Sequence, residues 1–196
     1  MTSQLPMGAW DAINTRSSVR AYSPDRLDRD TIGKLLTAAV RAPTAIHEEQ
    51  WVFAVIQGKT LLSRLSEQVR APFAAELEAS GSAASLPSKF NDAGFDLFYD
   101  ADTLILICAE PMGKFVEADC WLAAENLMLA AHASGLGSCV IGSAILGLNQ
   151  PDIKARVGIP DEVKVVVPVI VGVPAAAVPP SARRAPTIVS WKTDSL

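Results

Sequence analysis

Four prolines, Pro174, Pro179, Pro180 and Pro186, dictate what the last part of this chain can be. Proline lacks an N–H and locks φ, so Gly172–Pro186 can be neither a helix nor a central strand and must run as an extended arm. Beyond it, Thr187-Ile188-Val189-Ser190-Trp191 reads as a strand, yet no tight turn pairs it with the strand before the arm. Such a segment must find a sheet at long range or on a second copy of the chain.

Ahead of the arm, helical and strand patterns alternate. Trp10 and Ile13 mark a short helix ending near Thr15. From Asp28 or Asp30 a second helix carries Ile32, Leu35, Leu36 and Ala39 on one face and stops at Arg41-Ala42-Pro43. Trp51–Ile56 (WVFAVI) is a strand by its branched and aromatic content. Residues 59–80 read as helical, with Leu61, Leu62, Leu65 and Val69 on one side, and 80–90 (SGSAASLPSKF) as a mobile loop. Thr103–Cys108 (TLILIC) is a buried strand. Phe115–Ser134 is a helix with Leu122, Leu127, Met128 and Ala131 on its apolar side, stopped by Gly135. A short helix from Asn149-Gln150-Pro151 to Gly158 precedes the strand Val163–Val171. With no internal repeat and no linker, residues 1–196 are expected to form one α+β domain, a three-layer α/β/α arrangement with a small mixed sheet.

Composition closes off several functions. The net charge is −4 and the pI about 5.2, which argues against nucleic-acid binding driven by overall charge. Hydrophobic residues make up 49%, and the 12 glycines raise the apolar class to about 55%, above the usual range. A large subunit interface is one way to hide that surplus. Cys108, Cys120 and Cys139 have neither disulfide nor zinc spacing, so they are expected as reduced thiols in a cytoplasmic protein. Residues 1–20 contain Asp11 and no apolar core of a signal peptide, and the run Val163–Val173 is too short to span a bilayer. A soluble protein with no membrane or nucleic-acid partner is expected.

Several catalytic patterns also fail. Gly135-Leu136-Gly137 is followed by Val140 where a dinucleotide fingerprint needs a third glycine, and it follows a helix rather than a strand. There is no G-K-[ST] loop and no G-x-S-x-G elbow, and His47 and His132 lack ligand spacing, so no metal is expected. What remains is basic. Arg16-Ser17-Ser18-Val19-Arg20 puts two guanidinium groups and two hydroxyls in five residues, and Arg183-Arg184 lies on the arm. This set is either a solvated basic patch or a phosphate clamp, in which guanidinium forks meet phosphate oxygens at two points.

Those residues belong to a longer pattern. Arg16-Ser17-Ser18-Val19-Arg20-Ala21-Tyr22 resembles the R-x-S-x-R-x-aromatic opening of the FMN-dependent nitroreductase family. Ala42-Pro43-Thr44-Ala45-Ile46-His47-Glu48-Glu49-Gln50-Trp51 is similar to its A-P-S-A-x-N-x-Q-P-W segment. Asn126-Leu127-Met128-Leu129-Ala130-Ala131, with Gly135-Leu136-Gly137-Ser138-Cys139-Val140-Ile141-Gly142, is similar to N-L-x-L-A-A…G-L-G-S-x-x-I-G. The arm completes the order.

The resemblance implies a homodimer that binds FMN at the subunit interface, with the C-terminal segment wrapped around the partner. It implies that Arg16, Ser18 and Arg183 hold the phosphate, with Ser17 beside them and Arg184 the alternative to Arg183. Arg20 then meets the flavin N1/O2 edge, Thr44, Ala45 and His47 line the ring, and Ile141, Gly142 and Ser143 offer backbone N–H groups near N5. The implied activity is ping-pong transfer of hydride from NADH or NADPH through FMN N5 to an electron-poor acceptor: a nitroaromatic, a quinone or an activated alkene. No protein side chain is required as the catalyst, although His47 could donate a proton. The alternatives are a non-catalytic FMN-binding dimer and a flavin-fragmenting or dehalogenating relative. The chain departs from the family pattern where His47, Glu49 and Gln50 replace Asn, Gln and Pro, and Glu48 adds a further acid.

Overall fold

The computed structural model of the chain describes residues 7–45, 49–80, 90, 92, 94–111 and 113–193. In chain order the elements are α1 (Ala9–Thr15), α2 (Arg29–Ala39), β1 (Trp51–Gln57), α3 (Lys59–Ala79), β2 (Thr103–Ala109) and α4 (Val116–Ala133). There follow β3 (Gly137–Val140), a 3-10 turn (Gly142–Ala144), α5 (Ile145–Leu148), α6 (Pro151–Val157) and β4 (Lys164–Gly172).

The four strands form one sheet in the order β1-β2-β4-β3. All three ladders are antiparallel, and the parallel component expected of a mixed sheet is confined to an isolated bridge between Ser18 and Ser138. β2 is buried on both faces. Leu104, Leu106 and Cys108 pack with Leu62, Leu65 and Val69 of α3 and Ile153 of α6, whereas Ile105, Ile107 and Ala109 pack with Ile32 and Leu35 of α2 and Leu127 of α4. Alternate side chains of one strand thus serve two cores, which produces the three layers. Pro168 lies within β4, a central strand, opposite Leu106. Pro168 O accepts from the Ile141 N–H at 2.9 Å, so the backbone of residue 168 faces the segment just past the end of β3, where the ladder has stopped and the missing N–H is not needed.

Some expectations need correction. Within one copy of the chain Thr187–Trp191 pairs with no strand among the described residues, which leaves the expected exchange onto a second copy as the alternative. Its Ile188, Val189 and Trp191 are exposed, as are Trp10 and Ile13 of α1. Leu61 and Leu122, assigned above to apolar faces, point to solvent; the buried stripe of α3 runs through Leu62, Leu65 and Val69 instead. β3 and α5 are strand and helix where the sequence reading placed neither. The loop expected at 80–90 falls largely on residues 81–89, outside the described residues.

Candidate functional site

The basic segment Arg16–Tyr22 is laid along the edge of the sheet. α1 ends with the Arg16 N–H bonded to Ala12 O, and the chain then extends so that Ser18 bridges Ser138 and the Val19 N–H reaches Ser138 O at 3.0 Å. This close approach needs a glycine on β3. A Cβ at Gly137 would lie 2.6 Å from Val19 Cγ2. Further along, the Tyr22 hydroxyl donates to Val19 O at 2.8 Å, and Tyr22 bridges Pro174 at the root of the arm.

The arm returns to the same edge. The Ala175 N–H donates to Ala21 O at 3.0 Å, and Ser17 Oγ donates to Pro179 O at 2.8 Å. A cavity of about 260 Å³ lies beneath it, lined among others by Ser17, Val19, His132, Leu136 and Val178. A larger cavity of about 520 Å³ sits at the β1 edge beside Leu61, Arg64 and Arg156 and includes none of the basic segment.

The charges within this segment are unevenly satisfied. The Arg16 side chain is only 17% exposed, and its ion-pair partner among the described residues is the half-exposed Glu125, at 3.9 Å. Arg20 lies with its guanidinium carbon 5.8 Å from the centre of the Tyr99 ring. Burial pushes the Cys139 thiol above its ordinary range, and the nearby charge of Arg20 together with Ser18 and Arg16 pulls it part of the way back. Burial likewise raises Cys108 and Cys120 to about 12, which leaves no activated thiolate among them. His132 Nε2 lies 2.8 Å from Thr15 Oγ1. Among the described residues no cluster of three or more His, Cys, Asp or Glu side chains could hold a metal ion, and no helix is long and apolar enough to cross a membrane.

The other expected site residues fall in three places. Ile141, Gly142 and Ser143 continue directly from β3. The Ile141 N–H is taken by Pro168 O, while Gly142 and Ser143 head the 3-10 turn, where N–H groups have no partner inside the turn. Gly142 has ordinary negative φ, and a Cβ there would meet nothing within 4 Å, so nothing in the fold itself demands glycine. Thr44 and Ala45 lie elsewhere, fixed by the Ala45 N–H, which is shared at 3.3 Å between both oxygens of the buried Asp119 on α4. Asp119 and Glu125 are about 9 Å apart along that helix, and no hydrogen bond joins Thr44 or Ala45 to the basic segment among the described residues. His47 lies outside the described residues. Arg183 and Arg184 are exposed on the arm, four and five positions past Pro179.

The sequence reading missed Asp119 and Tyr99. Neither belongs to a motif, and both act through contacts far away in sequence.

A model of the nitroreductase family matches residues 13–173. A relative from Archaeoglobus fulgidus, named by inference as an NADH dehydrogenase/NAD(P)H nitroreductase, is 29% identical over 167 residues and covers 83% of each chain. A nitroreductase structure with bound FMN from Bacteroides fragilis matches with a TM-score of 0.78 at 27% identity, over 94% of this chain and 98% of its own. Another with bound FMN, from Desulfitobacterium hafniense, has the same fold, with a TM-score of 0.77 at 21% identity over 93% and 98%.

Proposed function

This chain belongs to the nitroreductase family, and from that premise we propose that it is an FMN-dependent oxidoreductase carrying electrons from NADH or NADPH to an electron-poor acceptor. The acceptor class we infer is a nitroaromatic, a quinone or an activated alkene.

The observation that carries the reading is Arg16. A guanidinium only 17% exposed, with its carboxylate partner at 3.9 Å, calls for a closer anion. Ser18 and the arm that bears Arg183 run beside it, and a phosphate monoester matches this donor set in charge and geometry. Gly142 supplies a second, independent fit: with open space above it and ordinary φ, its missing side chain is explained by a flat ring resting on the backbone.

FMN, when bound, supplies the two-electron chemistry at N5, and its reduction leaves negative charge along N1 and O2. Arg20 is the fixed cation for that edge. The Gly142 and Ser143 N–H groups orient the ring at N5, and Arg16, Ser18 and Arg183 anchor the phosphate. No side chain serves as nucleophile. The buried thiols, all raised by burial, are consistent with that.

We infer further that the site is completed by a second copy of the chain. The protomer exposes 12145 Å², against about 8,900 Å² for a compact monomer of this mass. An extended arm that does not fold back onto its own core leaves the protomer with more surface than a compact chain, and a partner subunit is what would cover it. Exposed apolar side chains suited to such a contact include Trp10 and Ile13 of α1, Trp121 and Leu122 of α4, and Ile188, Val189 and Trp191 of the arm. In such a dimer the Thr44–Ala45 segment, which is held by Asp119 and not by the basic segment of its own chain, lines the ring bound by its partner.

Anaerobic titration of FMN-loaded protein tests the reading. Absorbance near 450 nm should bleach with NADH or NADPH and return on adding a quinone; a flavin that neither nucleotide bleaches contradicts it.

A further inference from the structure

Tyr99 has φ 53° and Asp100 φ 56°, two consecutive non-glycine residues in the left-handed region. Aspartate tolerates that conformation; for a bulky ring such as tyrosine it is unfavourable. The segment is nevertheless firmly tied down. Asp96 Oδ1 accepts from the Phe98 N–H and Oδ2 from the Asp100 N–H, both at 2.9 Å. Ser66 Oγ on α3 accepts from the Leu97 N–H at 2.7 Å. Arg70, also on α3, donates through Nη1 to the carbonyl oxygens of Phe90, Asp92 and Phe95.

These ties determine where one ring stands. Phe95 meets Tyr99 edge-on at 5.8 Å and 88°, and Phe90 and Phe73 continue the stack back to α3. The Arg20 guanidinium lies 5.8 Å from the Tyr99 ring centre. Strain that is over-determined in this way persists where the geometry it enforces is used. An exposed arginine left alone samples many rotamers; one resting on a fixed π face does not, because the ring's negative face attracts the cation.

We propose that Tyr99 is a positioning residue for Arg20, its ring holding the guanidinium at the flavin edge and so favouring the reduced cofactor; this rests on the FMN-binding reading above. A cation already in place stabilises developing negative charge without having to reorganise.

The test is the ratio of affinities for reduced and oxidised FMN, obtained from binding constants and the midpoint potential of the bound cofactor. It is measured in wild type, Tyr99→Phe, Tyr99→Gly, Arg20→Met and the Arg20→Met/Tyr99→Gly double variant. Glycine removes the ring and accepts φ 53° without strain, so loss of folding is not built into the variant. Tyr99→Gly should lower the ratio about tenfold, equivalent to about 30 mV for a two-electron couple. Tyr99→Phe, which keeps the π face, should stay within about twofold of wild type. In the Arg20→Met background, Tyr99→Gly should add nothing.

A ratio unmoved by Tyr99→Gly, with or without a drop in thermal midpoint, overturns the positioning role while leaving FMN binding intact. The same shift appearing in the Arg20→Met background also overturns it. A protein that takes up no FMN overturns both readings. Should Tyr99→Gly not fold, Tyr99→Leu measured in the same way decides.

Discussion

Ser17 Oγ donates a 2.8 Å hydrogen bond to the carbonyl oxygen of Pro179, tying residues 162 positions apart. The bond fastens the C-terminal arm to the basic segment at the sheet edge, and does so next to Arg16 and Ser18. The path of the arm is thereby fixed beside the segment that carries Arg16, Ser18 and Arg20.

Ser17→Ala leaves the Pro179 carbonyl without its donor. Stability should fall by about 0.5–1.5 kcal/mol, and amides of the arm near Ala175 should exchange faster with solvent. Hydrogen exchange followed by mass spectrometry checks this; an arm with unchanged protection contradicts it.

Two glycines near the site separate fold from function. Gly137→Ala drives a Cβ to within 2.6 Å of Val19 and should destabilise by about 1–3 kcal/mol. Gly142→Ala meets nothing within the chain and should stay within about 0.5 kcal/mol of wild type, yet weaken FMN binding by at least about tenfold (about 1.4 kcal/mol). Thermal melts and flavin titrations of the two variants should therefore give opposite patterns.

His132 gives the protein a pH dependence. The Thr15 hydroxyl donates to Asp11 O at 2.6 Å, so His132 Nε2 must carry the hydrogen in its 2.8 Å contact with Thr15. Burial, and then the charge of Arg16, hold His132 below the ordinary histidine range. The unfolded chain binds that proton near pH 6.5 and the folded chain only at lower pH, so this group's contribution to stability is lost as pH falls below about 6.5. Between pH 7 and 5.5 wild type should lose more thermal stability than His132→Gln; equal losses contradict this. Arg16→Ala should move the His132 titration upward, as read from its ring proton resonances.

How much of this structure can be read from sequence depends on how local the cause is. The branched runs of β1, β2 and β4 announce strands within a residue or two of their observed ends, because their side chains must fill cores on the sheet faces. β3, with the sequence GSCV, carries no such content; it is a strand because β4 pairs with it, Val140 opposite Val169. Thr187–Trp191 is the reverse case, a strand by composition that pairs with no strand among the described residues of its own copy. The basic segment is legible because its members are adjacent. Asp119 is not: it stands 74 positions from the Ala45 amide it holds, and nothing local distinguishes it from Glu117. Tyr99 likewise gains its meaning only when Asp96 and Phe95 turn its ring toward Arg20.

The phosphate clamp is tested most directly by calorimetric titration of wild type and Arg16→Ala with FMN and with riboflavin, which lacks the phosphate. Wild type should bind FMN far more tightly than riboflavin. Arg16→Ala should weaken FMN by about 1.5–3 kcal/mol and leave riboflavin nearly unchanged. Equal affinity of wild type for the two flavins, or an Arg16→Ala variant that holds FMN as tightly as wild type, contradicts the account.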